Sequence, residues 1–219
     1  MSYKIKKRVY RALAGLLALF ICIYLLQNKW AHRHGMGENV TCVPLFGWLI
    51  MEDRVPKEDG TVFIDLQPGD ILLTLSTHSF GWRHGHVGLA LDSNSVLECI
   101  TWGEDSRIVS IEHWSTYSSC AVLRVKNVTK EVQQKVVAYA KENLCGVPYR
   151  LSAGLLGEKN MEIDAKGFGM QCAYMVWYAW NHFRYDLDSA GGQLVTVNDL
   201  LNSDYLEVIQ SYGMDFTLQ

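Results

Sequence analysis

Cys172 follows two nearby glycines in the run Gly167-Phe168-Gly169-Met170-Gln171-Cys172, where the pattern expects a buried helix to begin. A free cysteine titrates at about 8.5, so little thiolate exists at neutral pH. A helix N-terminus offers unpaired N–H groups and partial positive charge, which favour the thiolate and suit a developing oxyanion. Cys172 is therefore a candidate nucleophile, with its pKa expected below the ordinary value and the glycines expected to bring backbone close to the sulfur. An inert core thiol beside Ala173 and Tyr174 fits the same position. A nucleophilic thiol needs a base, and His86 opens the apolar run His86-Val87-Gly88-Leu89-Ala90-Leu91. A lone histidine there also suits a purely structural role. Glu98 lies inside Val96-Leu97-Glu98-Cys99-Ile100, where a charge is costly unless paired. It suits the acceptor that orients the base; a solvated face of an edge strand is the plain alternative. His84 is two residues before His86 and shares its face in a strand. With His78 the two could ligate a metal, but no HExxH pattern or CxxC pair supports this. No metal and no cofactor is expected.

These residues need a scaffold. Short apolar runs bounded by turn residues predict strands at 61–66, 71–75, 86–91, 96–101, 107–112, 120–125 and 205–209. The spacing of Val132, Val136, Val137 and Ala140 predicts an amphipathic helix over 129–143, capped by Thr129. Residues 171–183 are apolar almost all round and predict a buried central helix. A short helix is expected at 196–201, and a glycine-containing loop at 150–169. The fold class is an α+β domain, an antiparallel sheet packed against helices.

The chain has 219 residues, 49% of them apolar and 20% charged, which excludes a disordered chain, a collagen-like repeat and a coiled-coil rod. Six cysteines are too few for a disulfide scaffold. Residues 1–30 hold Lys4, Lys6, Lys7, Arg8, Arg11 and Lys29 and no acidic residue, leaving an acidic remainder. A body of that charge without a basic stripe argues against a nucleic-acid partner. The basic head precedes the uncharged run Ala12–Leu26, the pattern of a secretory signal or signal anchor. That run spans only about 22 Å as a helix against a hydrocarbon core of ~30 Å. Extension to Trp30, with Arg11 and Lys29 snorkelling, brings it near a full span. No small residues mark a cleavage site, so residues 1–30 are expected to be an uncleaved transmembrane anchor. The basic-inside tendency places the rest outside the cytoplasm. Residues 31–60 read as a linker and lead-in, and 61–219 as the domain.

The ordered set Pro68-Gly69-Asp70-Ile71-Leu72, Gly85-His86-Val87-Gly88-Leu89-Ala90-Leu91, Val96-Leu97-Glu98, Gly146-Val147-Pro148-Tyr149 and Gln171-Cys172-Ala173-Tyr174-Met175-Val176-Trp177 resembles the permuted papain-like amidases. These form the YiiX/YebB-like branch of the NlpC/P60 superfamily, relatives of lecithin:retinol acyltransferase. The resemblance covers roughly residues 61–210, and the order His, Glu, Cys matches a circular permutation. It implies a permuted papain-like fold, Cys172 as nucleophile, His86 as base, Glu98 as third polar residue and Tyr149 as a residue lining the substrate site. It implies cell-wall peptide or acyl-lipid substrates. Ala173-Tyr174 departs from the small polar and acidic pair usual after the nucleophile. The expected activity is a membrane-anchored cysteine hydrolase acting on an amide. Lipid acyl transfer or esterase chemistry and non-catalytic binding of envelope peptides are the rivals.

The hairpin register offers a sharp expectation. Direct cross-strand pairing of His86 with Glu98 centres the turn on Asp92. A two-residue Ser93-Asn94 turn would put Glu98 on the opposite face.

Overall fold

The structure, a computed structural model, describes residues 3–33, 40–46, 49–80, 82–153, 159 and 164–214. Within the first helix, the side chains of residues 3, 4, 23, 24 and 26–33 lie outside this description, and with them the expected interfacial roles of Lys29 and Trp30.

The architecture is α+β. Helix α1 (Tyr3–Arg33) is followed by β1 (Thr41–Pro44), β2 (Met51–Arg54), β3 (Ile71–Thr74), β4 (Thr77–His78), β5 (His86–Ala90), β6 (Ser95–Glu98) and β7 (Arg107–Ser110). Then come α2 (Ile111–Ser115), β8 (Cys120–Val125), α3 (Lys130–Asn143), α4 (Ala165–Phe168), α5 (Cys172–Asn181), α6 (Val197–Leu201) and β9 (Leu206–Tyr212). Six strands form one antiparallel sheet in the order β7-β6-β5-β3-β8-β9, and β1-β2-β4 form a small second sheet.

The large sheet is covered on both faces, which is why its central strands read as continuous apolar runs. Leu73, Val87, Leu89, Leu97 and Leu123 pack with Val136 and Ala140 of α3 and Val176 and Trp180 of α5. On the other face Leu72, Ala90, Val96 and Val122 pack with Trp114 and Tyr117. Each fully buried Leu or Val contributes about 1.5–3 kcal/mol. Thr129 caps α3 as expected, accepting from the Val132 N–H.

Three expectations change. Residues 61–66 form no strand: the Gln210 side chain accepts from the Ile64 N–H and donates to the Val62 carbonyl, each at 2.8 Å, in place of a strand ladder. The run expected as one strand over 107–112 breaks at Ser110, whose hydroxyl caps α2. Residues 31–60, read as a linker, carry β1 and β2. Glu52, Asp53 and Arg54 of β2 are buried charges, which look solvent-exposed in the sequence. Arg54 binds Glu52 and lies over the Tyr117 ring, and the Tyr117 hydroxyl donates to Glu52 at 2.6 Å.

The expected transmembrane anchor is also corrected. The N-terminal helix forms, but among the described residues no helix is long and apolar enough to cross a membrane. The apolar run of α1, not its length, falls short: basic residues flank it and leave about 22 Å of uncharged helix against ~30 Å.

Candidate active site

The β5–β6 hairpin closes on a three-residue loop. The Leu91 N–H donates to the Ser95 carbonyl, and the Asp92 carboxylate accepts from the Asn94 N–H and the Ser95 hydroxyl. Gly88 consequently pairs with Glu98, Leu89 with Leu97, and Ala90 with Val96. His86 and Glu98 are not direct partners, which corrects the expected pairing, yet they share a face because the offset is two residues. His86 begins β5 and Glu98 ends β6, so both stand at one end of the sheet.

His86 Nε2 lies 3.4 Å from Glu98 Oε2, and its ring stacks on Trp114 at 5.2 Å and 20°. The Trp114 indole N–H donates to the same Glu98 oxygen at 3.1 Å. Arg107 Nε and His113 Nε2 approach Glu98 Oε1 at 3.4 and 3.9 Å. Burial opposes ionisation of Glu98, but the His86 hydrogen bond and the charges of His86, His113 and Arg107 hold its pKa below the ordinary value. Room for the indole comes from Gly88: a Cβ there would stand 2.8 Å from Trp114 Cζ2 and 2.6 Å from Val96 Cγ1.

Cys172 is the first residue of α5. It is 8% exposed, against 1% for His86 and 0% for Glu98. Burial pulls the His86 pKa down, but hydrogen bonding and charge interaction with Cys172 and Glu98 more than offset this and raise it to about 10. The three residues singled out from the sequence are thus assembled in one place. Tyr149 belongs there too: burial, then the negative charge available at Cys172 and Cys99, push its phenol up. Tyr149 is fixed by its N–H to the Glu104 carbonyl and by a bridge to Met170, two residues before Cys172.

The helix end is more occupied than expected. Gln171 Oε1 accepts from the Ala173 N–H at 2.8 Å and from the Cys172 thiol at 3.5 Å, and its amide nitrogen donates to the Val195 carbonyl at 2.5 Å. The Ala173 N–H is therefore already engaged. Nor do the two glycines serve the sulfur. Gly169 has φ +81°, and a Cβ on it would meet the Pro148 carbonyl at 2.9 Å, so it lets α4 end against the strand-like segment carrying Tyr149. Among the described residues, a Cβ on Gly167 would meet only Asp164 within 4 Å.

The three histidines weighed as metal ligands take separate partners. His84 faces Ser79 Oγ through Nε2 and the Gly85 carbonyl through Nδ1, His78 pairs with Asp53, and His86 with Glu98. Trp114, Arg107, His113 and Gln171 were not legible as site residues. No spacing ties the first three to Glu98: Arg107 stands on the neighbouring strand β7, and His113 and Trp114 follow a run that reads as strand as far as Glu112. Gln171 carried one usable signal, its place as N-cap of the helix that starts at Cys172.

No protein-family model matches the chain, and no curated protein matches it. Among solved structures the chain is similar to the metalloprotein yiiX from Escherichia coli O157:H7, with 17% identity, coverage of 67% of this chain and 97% of that chain, and a TM-score of 0.48. At that level the similarity assigns no role to any residue here.

Proposed function

We propose that this chain is a thiol hydrolase of permuted papain-like design, cleaving an amide bond of a cell-wall peptide or an N-acyl lipid. The observation that carries the reading is His86, buried among the Glu98 carboxylate, the Trp114 ring and the Cys172 sulfur. In this reading the proton shared by the pair rests on His86, as its raised pKa favours, and the Cys172 sulfur bonds to the carbonyl carbon as the thiolate. The imidazolium, favoured by its raised pKa, delivers that proton to the leaving amine as the C–N bond breaks. Water then attacks the thioester, giving a proton to His86, and the acid is released as the C–S bond breaks, leaving the sulfur as thiolate beside the imidazolium. Glu98 orients the ring and stabilises its charged form, and Tyr149 lines the substrate position.

The full chain, incubated with cell-wall fragments and N-acyl lipids, should release a new amine, and Cys172→Ser should abolish release; release of an alcohol from ester lipids alone would identify an esterase. Transfer of the acyl group to a lipid acceptor instead of water would identify an acyltransferase. Binding of envelope peptides that survives Cys172→Ser, with no turnover of any substrate, would identify a binding protein.

We also propose that α1 holds the domain at a membrane surface. Leu13, Leu16, Leu17 and Phe20 are exposed on it, next to the basic residues Lys6, Lys7, Arg8 and Arg11. Flotation with anionic vesicles should carry the full chain and not a chain lacking residues 1–30. Protease added to intact cells tests which side the domain occupies.

A further inference from the structure

The small sheet carries a second group of chemistry-bearing side chains. Cys42 of β1 pairs with Asp53 of β2, and Met51 of β2 pairs with His78 of β4. Paired residues share a face, and Met51 and Asp53 are two apart, so all four stand on the same face. There Cys42 Sγ lies 3.8 Å from His78 Nε2, and that nitrogen lies 3.1 Å from Asp53 Oδ1. The sulfur, nitrogen and oxygen all fall within 4.8 Å of one another, and Met51 Sδ is 3.4 Å from the sulfur.

A Cys-His-Asp trio is either a proton relay or a ligand set. A relay places the thiol and the carboxylate on opposite ring nitrogens. Here both face Nε2, while Nδ1 is buried with no hydrogen-bond partner among the described residues. Convergence on one centre suits a cation. Around a tetrahedral zinc with bonds of about 2.0–2.3 Å, ligand atoms stand roughly 3.3–3.6 Å apart. The separations of 3.8 and 3.1 Å are close to this.

We propose that Cys42, Asp53 and His78 bind a zinc ion, with the fourth position open to solvent beside the exposed Cys42. Arg83 supports the site from behind: its guanidinium holds Asp53 Oδ2 at 2.7 Å and donates to the Leu75 carbonyl, which turns Oδ1 toward the cluster. Zinc loading releases the Cys42 thiol proton to solvent and leaves the imidazole proton on His78 Nδ1. Thiolate and carboxylate then balance the two charges of the ion. The ion would clamp three short strands, one of them the two-residue β4 that leads through residues 79–85 to His86. The site stands apart from the proposed thiol chemistry and shares no residue with it.

The test uses the full chain, stripped of metal and titrated with cobalt(II) or zinc(II) alone. A single equivalent should bind, with a thiolate-to-cobalt charge-transfer band. Cys42→Ser should lose the band, and both Cys42→Ser and His78→Ala should weaken uptake by about tenfold or more. Cys172→Ser and His84→Ala should retain both band and uptake. Zinc should raise the Tm of the native chain and not that of Cys42→Ser, a readout that does not depend on His78→Ala folding. No uptake of either metal by the folded native chain, a band that survives Cys42→Ser, or binding of copper(I) alone would overturn the assignment.

Discussion

His86 and Glu98 meet on a diagonal of the β5–β6 hairpin, with Gly88 as the residue directly opposite Glu98. The empty position at Gly88 admits the Trp114 ring, which stacks on His86 and donates to Glu98. Gly88→Ala should destabilise the chain by about 1–3 kcal/mol, the usual range for overpacking a core. Thermal unfolding and near-ultraviolet circular dichroism of the tryptophans would register it. A stability equal to that of the native chain would show that Trp114 does not need this space.

Glu98 supports the charged form of His86, so its removal should lower the His86 pKa from its raised position near 10. In Glu98→Gln the alkaline limb of turnover should therefore move to lower pH, because the imidazolium that protonates the leaving group is lost sooner. His182→Ala is the control. His182 caps the far end of α5 and stacks on Tyr139 at 3.9 Å, so the profile should not move.

The same shift predicts a pH dependence of stability. The His86 pKa is raised from 6.5 to about 10, so the folded chain binds more protons than the unfolded chain across that interval. The contribution is complete below the unfolded pKa and is lost as pH rises toward the folded value. Urea unfolding of the native chain should show stability falling between those limits. His86→Gln should flatten that decline; an equal slope in the variant would assign the loss to other groups.

Asp70 predicts a purely structural effect. Its fully buried carboxylate takes a forked pair of bonds from Arg124, both at 2.8 Å, and accepts from the Gln67 N–H at 2.8 Å. Asp70→Ala leaves Arg124 without this partner and should cost about 3–5 kcal/mol. A double-mutant cycle with Arg124→Ala, read by urea denaturation, should show strong non-additivity. Additive losses would mean that the pair does not act as a unit.

Much of the large sheet and its helices was legible because the signal is local. The period of Val132, Val136 and Ala140, the Thr129 cap, the apolar run of β5 and the turn at Asp92 each act within a few residues. Residue chemistry within those runs brought Cys172, His86 and Glu98 forward. Glu98 was suspected because a charge inside an apolar strand requires a partner, and the structure supplies His86, Trp114 and Arg107.

Tertiary structure alone decided the rest, because distant parts of the chain satisfy the groups concerned. The buried charges of β2 find Tyr117 and Arg83 far away in sequence, so their segment read as a linker. Hairpin register depended on the turn being centred on Ser93, one residue beyond Asp92, which puts Glu98 opposite Gly88, two positions from His86 and on the same face. A helix end that looked open is filled by the side chain of Gln171. Sequence determined which groups must be paired or shielded. Only packing of segments far apart in the chain determined their partners, since a buried hydrogen bond or ion pair depends on distance in space and leaves no period in the sequence.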